Sequence, residues 1–241
     1  MPDPANTAPL PAPLPTSLPA PLPAPLPAPL PAPMIDFATL RARLAPDPSG
    51  PRRIIAIAGA PGSGKSTLAQ RLVDQINLDL PGHAALLAMD GYHYDDILLG
   101  ALGRHSRKGA PDTFDVAGLE HMLHRLFQDD GATVAVPVFD RQIEIARAGA
   151  RLIPPDARLI VTEGNYLLLN AAPWSALARF FALTVLVDIP EAVLRDRLTR
   201  RWQGFGLPPA AVQAKLDDND LPNGRFVINQ SRRPDYRIGS D

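Results

Sequence analysis

Residues 59–67 carry the clearest chemical signal in this sequence. They read Gly-Ala-Pro-Gly-Ser-Gly-Lys-Ser-Thr, which fits the pattern G-x-x-x-x-G-K-[ST] of a phosphate-binding loop. Its glycines let the backbone curl so that successive N–H groups point at phosphate oxygens. Lys65 is expected to reach the β- and γ-phosphates of a nucleotide, and the Ser66 hydroxyl to bind Mg²⁺. The predicted nucleotide-binding residues are Gly59, Gly62, Ser63, Gly64, Lys65, Ser66 and Thr67.

Two acidic residues follow apolar segments that are predicted to be strands. Glu163 ends the run 159–162, where a carboxylate can bind Mg²⁺ directly or through water; a helix cap or a surface acid is the alternative. Asp90 follows the run 84–89, where a carboxylate can accept the proton of an alcohol during phosphoryl transfer. The alternative for Asp90 is a turn, because Gly91 comes next and Asp-Gly is a common turn pair.

Arginine is concentrated in one predicted helix that begins near Glu191. Arg195, Arg197, Arg200 and Arg201 place four guanidinium groups within two helical turns. Like charges so close together repel each other, and they suit a lid that closes over a triphosphate and offsets the charge that develops during transfer. A solvated surface face is the alternative.

Histidine and tryptophan give weaker signals. His93 lies in the long polar stretch 91–115, where it is expected either to contact a substrate or to remain solvated. Trp174 and Trp202 are expected to be packing residues rather than parts of a binding cage.

The elements that must position these residues alternate between strand and helix. Apolar runs predict five strands, with helical patterns between them, at 54–58, 84–89, 134–139, 159–162 and 183–187. This alternation predicts a mostly parallel sheet with helices on both faces, a three-layer α/β/α fold. Because ligands bind at the carboxyl ends of such strands, Asp90 and Lys65 should face one cleft from neighbouring strands.

Composition narrows the classes of function. The chain has 241 residues, a formal net charge of −1 and no cysteine. The small net charge gives no field to recruit nucleic acid or an anionic membrane, and the lack of cysteine excludes disulfides and thiolate metal sites. No apolar run approaches the roughly 20 residues that span a bilayer, and no secretory signal is recognisable. A cytoplasmic protein without nucleic-acid or membrane partners is expected; the sequence leaves a homodimer open.

The first 33 residues differ from the rest. They nearly repeat Pro-Ala-Pro-Leu, and proline at every second position blocks both helix and sheet hydrogen bonding. We expect a disordered tail over 1–33 and one domain over 34–241. A ligand for an aromatic-lined groove is the alternative for the tail. A further hypothesis is that translation begins at Met34, so that the tail is not made.

The motifs together resemble the phosphoribulokinase/uridine kinase family of P-loop kinases, from residue 37 onward. The similarity is to bacterial members called nucleoside/nucleotide kinase family proteins, some of which are labelled fructokinase. The matching segments, in order, are 59–67, Met-Asp-Gly-Tyr-His at 89–93, Arg-Lys-Gly-Ala-Pro-Asp-Thr-Phe-Asp at 107–115, Pro-Val-Phe-Asp-Arg at 137–141, Glu-Gly-Asn-Tyr-Leu-Leu at 163–168 and Asn-Asp-Leu-Pro-Asn at 219–223.

The resemblance implies roles for individual residues. Asp90 matches the family's catalytic base, Glu163 its magnesium-associated acid, and Arg197 and Arg201 its phosphate-contacting lid arginines. The residues implied in acceptor binding are Tyr92, His93, Lys108, Asp140, Arg141 and Asn165. Uridine kinases place an Asp that binds ribose hydroxyls where this chain has Gly109, and the local pattern is more similar to bacterial pantothenate kinase.

The sequence therefore predicts a P-loop NTPase fold with a helical lid that uses ATP and Mg²⁺ to phosphorylate a hydroxyl group of a small metabolite. The acceptor is expected to be nucleoside- or sugar-like, and a pantothenate kinase-like enzyme is an alternative. The alternative from another class is a non-catalytic nucleotide-binding switch whose proline-rich tail recruits a partner.

Overall fold

The computed structural model describes residues 32–239. Its strands are β1 (Arg53–Gly59), β2 (Ala84–Ala88), β3 (Val134–Asp140), β4 (Ile145–Ile153), β5 (Leu159–Gly164), β6 (Phe181–Val187) and β7 (Tyr236–Ile238). Its α-helices are α1 (Phe37–Arg43), α2 (Lys65–Asp79), α3 (Asp96–Ala101), α4 (Val116–Gln128), α5 (Glu191–Gly204), α6 (Pro209–Lys215) and α7 (Leu221–Gln230). A π-helical turn, Leu216–Asp220, joins α6 to α7.

The central sheet has five parallel strands in the order β2-β5-β1-β6-β7. Every residue of β5 is buried, and all but the first residue of β1 are buried, as expected for parallel strands covered on both faces. The α/β fold with a mostly parallel sheet is therefore confirmed. Asp90 follows β2 and Lys65 follows β1, and β5 lies between these two strands. The prediction that Asp90 and Lys65 sit on neighbouring strands is therefore wrong.

Two hydrophobic cores lie on opposite faces of this sheet. Along β1, Ile54, Ala56 and Ala58 face one core, which α4 and the short helix Trp174–Phe180 cover. Ile55 and Ile57 face the other core, with α1, α2 and α5. This alternation follows from the two-residue side-chain period of a strand. Because the strands are parallel, their carboxyl ends lie at one edge of the sheet.

Strands β3 and β4 form a separate antiparallel hairpin. The sequence predicts 134–139 as a strand, which is observed, but this strand does not join the central sheet. Only Val134 and Val136 of β3 are buried, and the strand register shifts between Val136 and Val138, at Pro137, which has no N–H to donate. Such a half-exposed, interrupted strand suits an outlying hairpin better than a buried sheet.

The described chain begins packed against β7. Arg237 N donates to Pro33 O at 2.9 Å, Ile35 N donates to Arg237 O at 2.9 Å, and Ala32 is buried. Residues 32 and 33 thus pack with the domain. The tail prediction for residues 1–31 lies outside the described residues. Among the described helices, none combines the length and apolar character that crossing a bilayer requires.

Candidate active site

The phosphate loop connects the end of β1 to the start of α2. Gly62 and Gly64 have φ angles of 79° and 91°, in the left-handed region that glycine adopts without strain. A side chain at 62 would also approach Leu198 Cγ to 2.9 Å. Since α2 begins at Lys65, the free N–H groups of its first turn lie at the loop. The arrangement is an anion site built from backbone alone.

Lys65, Ser66 and Asp90 line one cleft of about 440 Å³, and Glu163 accepts a hydrogen bond from Ser66. The strand order explains this, because β5 ends with Glu163 and Gly164 between the ends of β1 and β2. Burial lowers the pKa of Lys65, while the carboxylates of Glu163 and Asp90 act in the opposite direction. The three charged groups predicted from sequence are therefore brought together.

Ser66 and Glu163 form the predicted metal pair. The Ser66 hydroxyl donates to Glu163 Oε2 at 3.0 Å, and Glu163 is only 4% exposed. Burial raises the pKa of Glu163, with the charge of Lys65 opposing it. No cluster of three His, Cys, Asp or Glu side chains suited to a metal occurs in the described part of the chain. A hydroxyl and one carboxylate fit Mg²⁺, which takes oxygen ligands and completes its shell with phosphates and water.

Asp90 lies in a short 3-10 helix, Met89–Tyr92, directly after β2. Its Oδ2 atom accepts a hydrogen bond from Arg141 Nη2 at 2.6 Å. Burial acts to raise the pKa of Asp90, but the nearby positive charges of Arg141 and Lys65, and of His93 when protonated, outweigh burial and lower it. Gly91 allows the hairpin to approach, since a Cβ there would lie 2.7 Å from Pro137 O.

His93 forms an aromatic wall of the cleft. Its ring centroid lies 4.0 Å from that of Phe114 and 4.7 Å from that of Phe139. Nδ1 lies 2.8 Å from the backbone oxygen of Asp90. Burial lowers the pKa of His93, so the neutral ring donates from Nδ1 to this carbonyl and keeps a lone pair on Nε2.

Two of the four arginines of α5 line the cleft. Arg197 Nη1 donates to Ser63 O at 3.0 Å, and Arg201 lies one turn further along the same face. Arg195 instead pairs with Asp217 at 2.8 Å, and Arg200 pairs with Asp196. The prediction of a four-arginine cluster over the phosphates is therefore corrected to two arginines, because Arg195 and Arg200 do not line the cleft and instead pair with aspartates.

Of the four remaining residues predicted to bind the acceptor, two line the cleft and two do not. Lys108 and Asn165 line the cleft. Tyr92 does not line it; the side chain is 8% exposed and packs in the core. Asp140 does not line it either, and pairs with Arg147 at 3.1 Å. Asp140 and Arg141 are adjacent in the sequence, and the structure separates them because β3 ends at Asp140 whereas Arg141 begins the turn that follows.

Several cleft residues were not predicted from sequence. Trp202, predicted to be a packing residue, lines the cleft and donates from Nε1 to Asp220 Oδ2 at 2.6 Å. Asn219 and Asn223 are buried cleft residues placed by the π-helical turn and the start of α7. The only sequence signal for this segment was its likeness to the family pattern at 219–223. The cleft residues that were not predicted as site residues are Pro61, Gly109, Phe114, Phe139, Glu144, Trp202, Lys215, Asn219, Asp220 and Asn223.

A second pocket, of about 370 Å³, lies on the other side of the phosphate loop. Gly64, Thr67 and Arg197 line it together with Val187 and with the end of the described chain at 238–239. Its walls combine loop backbone with apolar side chains, and it shares Gly62, Gly64, Thr67 and Arg197 with the first cleft.

Comparisons with known proteins agree with this geometry. A sequence profile described as "Phosphoribulokinase / Uridine kinase family" matches residues 54–215. The Escherichia coli (strain K12) protein YggC is 34% identical over 184 residues, covering 76% of this chain and 75% of YggC. The Schizosaccharomyces pombe protein named "Putative uridine kinase C227.14" is 32% identical over 192 residues, covering 76% of this chain and 81% of that protein. A crystal structure described as a "putative fructose transport system kinase" from Silicibacter sp. TM1040 is 38% identical with a TM-score of 0.76, covering 83% of this chain and 98% of its own.

Proposed function

This chain belongs to the phosphoribulokinase/uridine kinase family of P-loop kinases, and we propose that it transfers the γ-phosphoryl group of ATP to a hydroxyl group of a small metabolite. One observation carries the proposal. The phosphate-loop lysine, the Ser66 hydroxyl and the carboxylate of Asp90 line a single cleft, and Glu163 is hydrogen-bonded to Ser66. Phosphoryl transfer needs these three functions side by side, namely a phosphate cradle, a metal site and a base.

The nucleotide is expected to bind across the two pockets. The N–H groups at the start of α2 and the ammonium of Lys65 would hold its phosphates. The second pocket, with Val187 and the residues after β7, would take the nucleoside part. Ser66 and Glu163 would hold Mg²⁺, which when bound neutralises charge on the β- and γ-phosphates.

In the transfer step, Asp90 would accept the proton of the acceptor hydroxyl. The acceptor oxygen forms a bond to the γ-phosphorus, and the bond from that phosphorus to the β–γ bridging oxygen breaks, which leaves ADP. Arg197 and Arg201 line the cleft from α5 and would offset the charge that develops on the phosphoryl oxygens.

For the acceptor we propose only a chemical class. The names of two relatives refer to uridine and to fructose, and both describe small molecules with several hydroxyl groups. We extend only that shared chemistry, a nucleoside- or sugar-like alcohol, to this chain.

The test is ATP consumption by the purified chain with a panel of alcohol-bearing metabolites and Mg²⁺. We expect stoichiometric formation of ADP and of a phosphorylated acceptor with at least one compound. Tight ATP binding without transfer to any acceptor would instead favour a nucleotide-binding switch.

A further inference from the structure

The cations of the cleft fall into two groups. Lys65, Arg197 and Arg201 have no carboxylate within ion-pairing distance among residues 32–239. They lie on the phosphate loop or on the helix that packs against it, where a triphosphate needs them. Within the described residues no ion pair neutralises these three positive charges, although Arg197 donates to Ser63 O and the Cζ atom of Arg201 lies 5.1 Å from the ring centroid of Trp202.

The remaining cations are already engaged by the protein. Lys108 Nζ donates to Asp96 Oδ1 at 2.6 Å and to Glu144 O at 2.5 Å. Arg141 pairs with Asp90. Lys215 Nζ lies 4.5 Å from the ring centroid of Trp202, whose indole donates to Asp220. An anionic group on the acceptor would compete with these contacts for the same cations.

Several polar atoms of the cleft near Asp90 are hydrogen-bond acceptors that other described residues leave unused. Asp90 uses Oδ2 for Arg141, which leaves Oδ1. His93 uses Nδ1 for a backbone carbonyl, which leaves the Nε2 lone pair. Asn223 donates from Nδ2 to Asn219 Oδ1, which leaves its own amide oxygen. The Oδ1 atom of Asn165, also a cleft residue, is buried and has no hydrogen-bond partner within residues 32–239.

Such acceptor atoms favour a ligand that donates hydrogen bonds. A carboxylate or phosphate presents only lone pairs, so it would meet the open acceptors and the carboxylates of Asp90 and Glu144 with repulsion. Hydroxyl groups donate hydrogen bonds to the same atoms. Phe114 and Phe139 add apolar walls against which the C–H surface of a sugar or polyol can pack.

We propose that the acceptor is an uncharged polyhydroxyl compound, a sugar or polyol, rather than a hydroxy acid or a sugar phosphate. This inference rests on the proposed kinase function and narrows its substrate class.

The first experiment measures binding, separately from transfer. Calorimetric titrations of the full chain, saturated with Mg²⁺ and a non-hydrolysable ATP analogue, would compare pairs that differ in one group: sorbitol with gluconate, and glycerol with glycerate. A panel of free aldoses and ketoses is titrated alongside their phosphates. We expect the uncharged member to bind at least about tenfold more tightly, since an unpaired charge or hydrogen-bonding group costs roughly 1–3 kcal/mol.

The outcomes separate the two proposals. Equal or tighter binding of the acid or phosphate, or no binding by any uncharged compound, would overturn the inference. Transfer to a hydroxy acid would overturn it while supporting the kinase. Binding of the uncharged compound without ADP formation would count against the kinase and leave the inference standing.

A variant tests the role of His93. His93→Phe keeps a ring between Phe114 and Phe139 but removes the Nε2 acceptor, so KM for the sugar or polyol should rise about tenfold while KM for ATP stays unchanged. His121→Phe, the same change at an exposed position of α4, should alter neither value. Equal effects on both KM values, or none, would remove His93 from acceptor selection.

Discussion

The carboxylate of Asp90 lies 2.6 Å from the guanidinium of Arg141, although the two residues are 51 positions apart and follow strands of different sheets. Asp90 follows a strand of the central sheet, whereas Arg141 follows β3 of the hairpin. The ion pair therefore couples the proposed base to the hairpin. It holds one carboxylate oxygen in place and leaves the other free for an acceptor hydroxyl.

Asp90→Asn should leave nucleotide binding intact and reduce turnover by about 10²–10⁴-fold, because an amide cannot accept the hydroxyl proton. Nucleotide affinity from calorimetry and ADP formation would be compared for wild type and variant. Asp156→Asn, at an exposed position away from the cleft, is the matched control and should behave as wild type. Undiminished turnover in Asp90→Asn would remove this residue from the mechanism.

Arg141→Ala should shift the acid limb of the pH–rate profile. The charge of Arg141 helps to lower the pKa of Asp90 against the opposing effect of burial, so its removal raises that pKa. Asp90 must be ionised to act as a base, and activity should then fall away at higher pH than in wild type. The profile of kcat/KM against pH measures this. The groups that also act on Asp90 are Lys65, Glu163 and His93, and none of them is changed.

The control for Arg141 lies on the same hairpin. Arg147→Ala removes a partner of Asp140, which does not line the cleft, and should leave the acid limb in place. A shift of equal size in both variants would show that the hairpin acts through its fold rather than through the Asp90–Arg141 pair.

Glu163→Gln should separate stability from function. Burial raises the pKa of Glu163 in the folded chain, and a carboxyl group with a raised pKa favours folding at low pH and loses that stability as pH rises through the folded value. The uncharged amide of Gln avoids the cost of burying an ionised carboxylate. The Tm without ligand should therefore increase at neutral pH, and this increase in Tm should be smaller at acid pH.

The same variant should lose Mg²⁺-dependent transfer, because the carboxylate that pairs with Ser66 is gone. Thermal melts across pH and initial rates across Mg²⁺ concentration would test both parts. Glu120→Gln, which alters an ion pair outside the cleft, should show neither effect. A decreased Tm at neutral pH together with an unaltered Mg²⁺ requirement would contradict the assignment.

Arg201→Ala and Arg200→Ala form a pair at adjacent positions of α5. Arg201 lines the cleft, and its loss should decrease kcat by about 10²-fold, in the range for removing one group that stabilises the transition state. Arg200 pairs with Asp196 in solvent, and its loss should change kcat less than about twofold. Steady-state rates at saturating ATP would distinguish the two; equal losses would imply that α5 acts only through its overall charge.

The phosphate site was predictable because it is local. Residues 53–79 supply the strand, the loop and the helix in one continuous stretch. Gly62 and Gly64 have positive φ angles, which glycine adopts without strain, so the residue types already indicate these turns. Asp90 and Glu163 were predictable for a related reason, since each ends an apolar run and the carboxyl ends of parallel strands share one edge. Periodicity also predicted the three-layer fold.

Other features depended on the tertiary structure. Hydrophobic patterning does not encode strand order, so the place of β5 between β2 and β1 was not foreseen. The Asp90–Arg141 pair joins the end of β2 to the end of β3, and the hydrophobic pattern gives no sign that these two ends meet. The side of α5 that meets the loop decides which arginines enter the cleft, and Trp202 becomes a cleft residue through its contacts with Asp220 and Lys215.

The sequence by itself thus determined the phosphate loop, the parallel fold and two of the acidic groups, because each depends on residues close together along the chain or on a rule shared by all parallel sheets. Only the tertiary structure decided which distant side chains meet around Asp90 and which charges of the cleft are already paired. Those contacts depend on how separate elements pack, and no local pattern contains that information.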